Sequence, residues 1–142
     1  MRALLDVNVL IALLDADHAS HAAATDWFAE HGKTGWASCP ITQNGCIRVM
    51  AHPDYPNALP VAAIVERLAQ AAVQPQHEFW PDDATLLDNE TVDASRIHGP
   101  GQLTDVYLLS LAVRHRGRLV TFDKAIALEP VRGAKKQHLL VL

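Results

Sequence analysis

Short apolar runs alternate along this chain with segments of helical period. Arg2 to Leu5 has strand length and stops at Asp6, as a strand buried on both faces of a parallel sheet would. Asn8 predicts a helix N-cap ahead of Val9 to Leu14. A second helix is predicted from Asp17 to His31, with Ala19, Ala22, Ala23 and Trp27 on its inner face and Gly32 ending it. Gly35 to Cys39 reads as the next strand. Pro40, whose missing N–H loses nothing in a first turn, opens a helix through Gln43, Gly45 and Arg48 to about Met50.

Pro53 and Pro56 impose a loop, and Pro60 opens a surface helix to about Gln74 with Ile64, Leu68 and Ala71 turned inward. Glu78 to Trp80 predicts a short strand, followed by a helix over Ala84 to Asp88 with Asp82 and Asp83 as its caps. Beyond the break at His98-Gly99-Pro100-Gly101, Thr104 is expected to cap a helix from Asp105 to His115 that Gly117 terminates. Arg118 to Phe122 and Leu139 to Leu142 are the last strands. The alternation implies an α/β fold, a parallel sheet flanked by helices, in a single domain spanning residues 1–142.

Composition agrees with a packed globule: 49% of the 142 residues are apolar and 20% charged. Cys39 and Cys46 form no CxxC pair and no His pair adjoins them, so they read as reduced thiols in a cytoplasmic protein. The apolar N-terminal stretch is broken by Asp6 and Asn8, which fits neither a signal peptide nor a membrane span. A net charge of −4 argues against a broad basic surface for nucleic acid. That objection weakens where the acidity is concentrated in one pocket that holds divalent cations. Arg114, Arg116, Arg118, Arg132, Lys135 and Lys136 are the main basic concentration and read as a solvated face in preference to an RNA contact. His18 and His21 have zinc-like spacing without a third ligand, His98 reads as a surface residue and Trp80 as core; Tyr55 fits packing or base stacking equally.

The chemistry lies in three acids. Asp6 and Asp123 each close a predicted strand, and Asp105 stands in the first turn of the helix before the second of those strands. Ligands in open α/β sheets bind beyond the carboxyl ends of the strands, where these three converge. Each alone is well explained as a helix cap or as an acid meeting a helix dipole. Together at one edge they repel unless protonated or bridged by a hard cation, which points to metal-assisted hydrolysis of a phosphate ester. Two other classes compete: a Mg²⁺-dependent phosphoryl-transfer or receiver domain, and a catalytically weak module whose acidic pocket receives an arginine from a partner. The phosphatase form of the first expects Asp where Asn8 stands, and Lys124 is poorly placed for a receiver.

Leu4-Leu5-Asp6-Val7-Asn8-Val9-Leu10, the stretch Cys39 to Gly45 with Arg48-Val49, Leu103-Thr104-Asp105 and Leu119-Val120-Thr121-Phe122-Asp123 resemble, in order, the PIN-domain toxins of the VapC group. The resemblance implies a PIN-like nuclease domain with Mg²⁺- or Mn²⁺-dependent endoribonuclease activity, an RNA substrate, a VapB-like antitoxin and a homodimer. It also implies catalytic roles for Asp6, Gln43, Asp105 and Asp123, metal ligation by the three Asp residues, and supporting hydrogen bonds from Asn8 and Thr121. Gln43 departs from the family, which most often has Glu there. The amide keeps an oxygen and loses a charge, which bears on whether one metal or two is held.

Overall fold

The computed structural model describes all 142 residues. Five short strands, β1 (Ala3–Leu5), β2 (Trp36–Ser38), β3 (His77–Phe79), β4 (Arg118–Thr121) and β5 (Leu139–Val141), form one sheet in the order β3-β2-β1-β4-β5. Every pairing is parallel, with Leu5 opposite Val120 and Ser38 opposite Phe79. Parallel neighbours need crossovers, and the helices supply them: α1 (Val7–Leu14), α2 (His21–His31), α3 (Pro40–Met50), α4 (Val61–Ala72) and α5 (Leu103–Arg114).

Period-2 alternation in β1 and β4 sends side chains to two cores. Leu4 and Leu119 join Ala37, Trp80 and Leu108, Leu109 and Leu111 of α5 on one face. Leu5 and Val120 join Val9 and Leu10 of α1, Cys46 and Met50 of α3, and Ile64 and Leu68 of α4 on the other. The predicted α/β architecture with both faces covered is therefore the observed one. No helix is long and apolar enough to cross a membrane.

Local departures have identifiable causes. Asp6, not Asn8, caps α1: its carboxylate accepts from the Val7 N–H at 2.7 Å and its carbonyl accepts from Val9 and Leu10. Asn8 lies inside the helix. α2 starts at His21 because turns hold the chain before it, with Asp15 accepting from the Asp17 N–H and His18 Nδ1 from the Ser20 N–H. Its inward residue is Ala24, while Ala19, Ala22 and Ala23 are exposed. Gly32 continues into a 3-10 turn, and the reversal falls on Gly35, whose φ of 105° suits glycine.

Residues 84–88 form turns and no helix. Asp82 accepts from the Tyr107 hydroxyl and Asp83 pairs with His115 and Arg114, so neither caps anything. Thr104 is not the cap of α5 either; a 3-10 turn over Pro100–Gln102 leads into the helix and Thr104 lies exposed in its first turn. After α5 the left-handed residue is Arg116, at φ 57°. Gly117 answers a different need, since a Cβ there would sit 2.5 Å from the Arg2 carbonyl oxygen and 2.7 Å from the Trp80 ring.

Candidate active site

β1 and β4 are adjacent and in register, so the residues that follow them, Asp6 and Asp123, emerge side by side at the carboxyl edge. Thr121, the last residue of β4, joins them. Its hydroxyl donates to Asp6 Oδ2 at 2.7 Å and accepts from the Asp123 N–H at 3.0 Å and from Asn8 Nδ2 at 3.3 Å. Asn8 Oδ1 in turn accepts from the Phe122 N–H at 3.1 Å. Thr121 is fully buried and Asp6 only 6% exposed, so this is a preformed, largely dry network. Asp123 also accepts from the Ala125 N–H at 2.8 Å, which turns the chain after β4. Two of the three acids thus cap or turn the backbone while presenting charge to the edge.

α5 begins at the same edge, carries Asp105 in its first turn, and runs from there to the amino end of β4. Burial, then the charges of Asp6 and Asp123, then a hydrogen bond with Asp123 push the Asp105 carboxyl up to about 6. Burial also raises Asp6; the hydrogen bonds from Thr121 and Val7 oppose it, and the charge of Asp123 adds to it. The charge of Asp123 thus bears on both Asp6 and Asp105, and that of Asp6 on Asp105.

These shifts have a stability consequence in metal-free protein. An acid whose pKa is raised in the fold binds its proton more tightly there than in the unfolded chain, so its ionisation destabilises the fold. The stabilising contribution is full below the ordinary aspartate value of 3.8 and is lost as pH rises toward about 6. Asp15, Asp83, Asp88 and Asp93 are shifted down, so their contributions are lost at lower pH, below the usual carboxylate range. In chelator, thermal melts of wild type are expected to lose stability between pH 4 and pH 6 relative to Asp105→Asn, by on the order of 1 kcal/mol once solvent screening of this half-exposed group is allowed for. A difference of zero or opposite sign means the acids do not repel.

Three carboxylates with no thiol or imidazole among them are hard oxygen donors, the set that suits Mg²⁺ or Mn²⁺. They do not close into a tight ligand cage. Such a cation needs none, because Mg²⁺ is commonly held by one or two carboxylates and keeps further positions for water and phosphate oxygens. The donor set therefore fits.

Gln43 lies apart from this hydrogen-bond network. Its amide nitrogen donates to Ser38 Oγ at 2.9 Å, and Ser38 faces His77. Neither Ser38 nor His77 was singled out by sequence, since each is unremarkable until β2 and β3 bring them together. Tyr55 donates to Asp15 and packs, partly buried, against the core on the α1 face, and Trp80 is buried. The basic run divides: Arg114 pairs with Asp83, Arg132 with Asp93 and Asn89, and Arg118 keeps its Nε buried.

Comparison with known proteins extends this geometry. The PIN domain family profile matches residues 3–128. The chain is 54% identical over 142 residues, 100% of both chains, to a Mycobacterium tuberculosis protein named ribonuclease VapC44. It is 42% identical over 128 residues to ribonuclease VapC39 of the same organism, covering 89% of this chain and 92% of that one. The fold matches the crystal structure of Mycobacterium tuberculosis VapC20, described as a sarcin-ricin loop cleaving toxin, with a TM-score of 0.58 at 13% identity over 87% of this chain and 91% of that one. It also matches VapBC2 from Rickettsia felis, bound to a DNA fragment from its promoter, with a TM-score of 0.51 at 16% identity over 87% and 89% of the two chains.

Proposed function

We propose that this chain, which belongs to the PIN-domain family and within it to the VapC ribonucleases, is a toxin-type endoribonuclease whose chemistry is carried by Asp6, Asp105 and Asp123. Its counterpart is a VapB-like antitoxin. The observation that supports this reading of the site is the convergence of the three acids, with Asp105 pushed up to about 6. Family membership removes the receiver alternative.

We assign Asp6 and Asp105 as direct ligands of a Mg²⁺ or Mn²⁺ ion and Asp123 as the third acid of the set. When bound, the cation supplies a low-pKa water and neutralises charge on the scissile phosphate. Thr121 holds Asp6 Oδ2 in place and favours its ionised form against the larger effect of burial, while Asn8 locks Thr121 and the Phe122 backbone together. Asp123 orients the turn at Ala125 and sets the proton balance of Asp105 through charge and hydrogen bond. Water adds to phosphorus and gives up a proton, the P–O3′ bond breaks, and the departing O3′ takes up a proton in its place, so that the protons balance. A homodimer, as the resemblance implies, belongs to the same proposal.

The cellular test is induced expression followed by mapping of RNA 5′ ends. Growth arrest with discrete new ends is expected for wild type and neither for Asp6→Asn; arrest that persists in Asp6→Asn would exclude this site as its cause.

A further inference from the structure

A partly buried polar chain ends on Gln43. Ser38, the last residue of β2, is 2% exposed. Its Oγ lies 2.8 Å from His77 Nε2 on β3 and 2.9 Å from Gln43 Nε2 in α3. His77 Nδ1 lies 3.1 Å from the Ala72 carbonyl oxygen at the end of α4, and the ring packs on Trp36 at a centroid distance of 4.4 Å.

The hydrogens can be assigned in sequence. A carbonyl only accepts, so Nδ1 carries the proton of the neutral ring and Nε2 is left as the acceptor. Ser38 has one O–H and gives it to Nε2. Its oxygen then accepts an N–H from Gln43. The direction of the whole chain is thus set at Ala72, and it dictates that the amide turns its NH₂ toward Ser38. The amide oxygen makes no hydrogen bond within the chain and is not a buried orphan.

We propose that His77, acting through Ser38, is a positioning residue that holds the Gln43 amide with its oxygen turned away from Ser38, as a neutral acceptor beside the groove between α3 and α4. The role in cleavage rests on the reading of Gln43 as part of the active site; the orientation does not. It also accounts for an amide where the family most often has a carboxylate. A carboxylate at position 43 cannot donate to Ser38 and would draw the Ser38 O–H to itself. His77 Nε2 would then have to donate, and with Nδ1 already committed to Ala72 the ring would need a second proton. Gln43 and a neutral His77 are therefore matched.

The groups facing the ring agree with neutrality in wild type. Burial is the largest influence and lowers the His77 pKa; the Ala72 carbonyl opposes it, Arg2 lowers it further and Glu78 raises it. Ser38 and Trp36 of β2 and Gln43 of α3 contribute no charge.

Nitrogen NMR of the imidazoles in the full chain, with the His77 signal assigned by its loss in His77→Gln, tests the orientation. Wild type is expected to show the Nδ1–H tautomer, and Gln43→Glu to raise the His77 midpoint by about one pH unit or more, a tenfold gain in proton affinity. An Nε2–H tautomer in wild type, or a midpoint indifferent to Gln43→Glu, overturns the proposal. For cleavage, Ser38→Ala is expected to raise the Mn²⁺ concentration for half-maximal rate roughly tenfold, as outer-shell changes do. His77→Gln, whose amide oxygen can accept from Ser38, is expected to stay near wild type. Ser38→Ala should add nothing to Gln43→Ala, and additive losses overturn the role in cleavage. A wild type that cuts no RNA overturns the proposed function instead, and the tautomer still decides the orientation.

Discussion

Asp6→Asn and Asp105→Asn are each expected to reduce RNA cleavage by about 10²-fold to 10³-fold or more, the scale of losing a group that acts on developing charge. The fold should survive. Both carboxylates are already shifted toward their protonated forms, first by burial and then by the neighbouring charges, so an amide removes an unfavourable buried charge and not a favourable ion pair. Asp105→Asn is expected to melt above wild type in chelator at pH 7 and to lose the gain in Mn²⁺, because the cation stabilises only the chain that binds it. Cleavage rates and paired melts decide between this and a capping role. If Asp105→Asn is strongly destabilised and Asp6→Asn still cuts at wild-type rate, the acids serve the backbone alone.

Thr121→Val is expected to have the largest effect of any uncharged substitution. Valine fills the space but strands three partners at once: Asp6 Oδ2, the Asp123 N–H and Asn8 Nδ2. Leaving such groups unpaired in a site buried to this degree costs about 2 to 4 kcal/mol of stability. The misplaced Asp6 should cost about 10- to 100-fold in metal affinity, as loss of an outer-shell partner does. Thr121→Ser keeps the hydroxyl and is the control: it should cut RNA like wild type. Equal behaviour of the serine and valine variants would mean that the hydroxyl does not organise the site.

The acids were legible because each sits where a local pattern changes. An apolar run that ends in Asp marks the carboxyl end of a strand, and Asp6 and Asp123 both do; Asp105 opens a helix of clear period. Their convergence then follows from strand order. The cap of α1 was misplaced because Asp6 and Asn8 are both good capping residues two positions apart. Only the pairing of β1 with β4 shows that Asn8 is needed elsewhere, on Thr121 and the Phe122 backbone. The helix predicted over 84–88 fails for two reasons. Thr85 and Asp88 bond backbone N–H groups two residues on, at Leu87 and Glu90, and so compete with helical bonding. Asp82 and Asp83, which would have capped it, are engaged by Tyr107, His115 and Arg114 from α5 and the residue after it. The surroundings of Gln43 were illegible for a similar reason: its partners Ser38 and His77 meet only across β2 and β3.

If three carboxylates cut RNA with a divalent cation, cleavage of a defined RNA by purified protein in Mn²⁺ or Mg²⁺ and in chelator, with the product ends identified, reads it out directly. Activity should appear with the cation, vanish in chelator and return on replenishment, leaving a 5′-phosphate and a 3′-hydroxyl because water, not the ribose 2′-hydroxyl, adds to phosphorus. Undiminished cleavage in chelator, or products ending in a 2′,3′-cyclic phosphate, would contradict it.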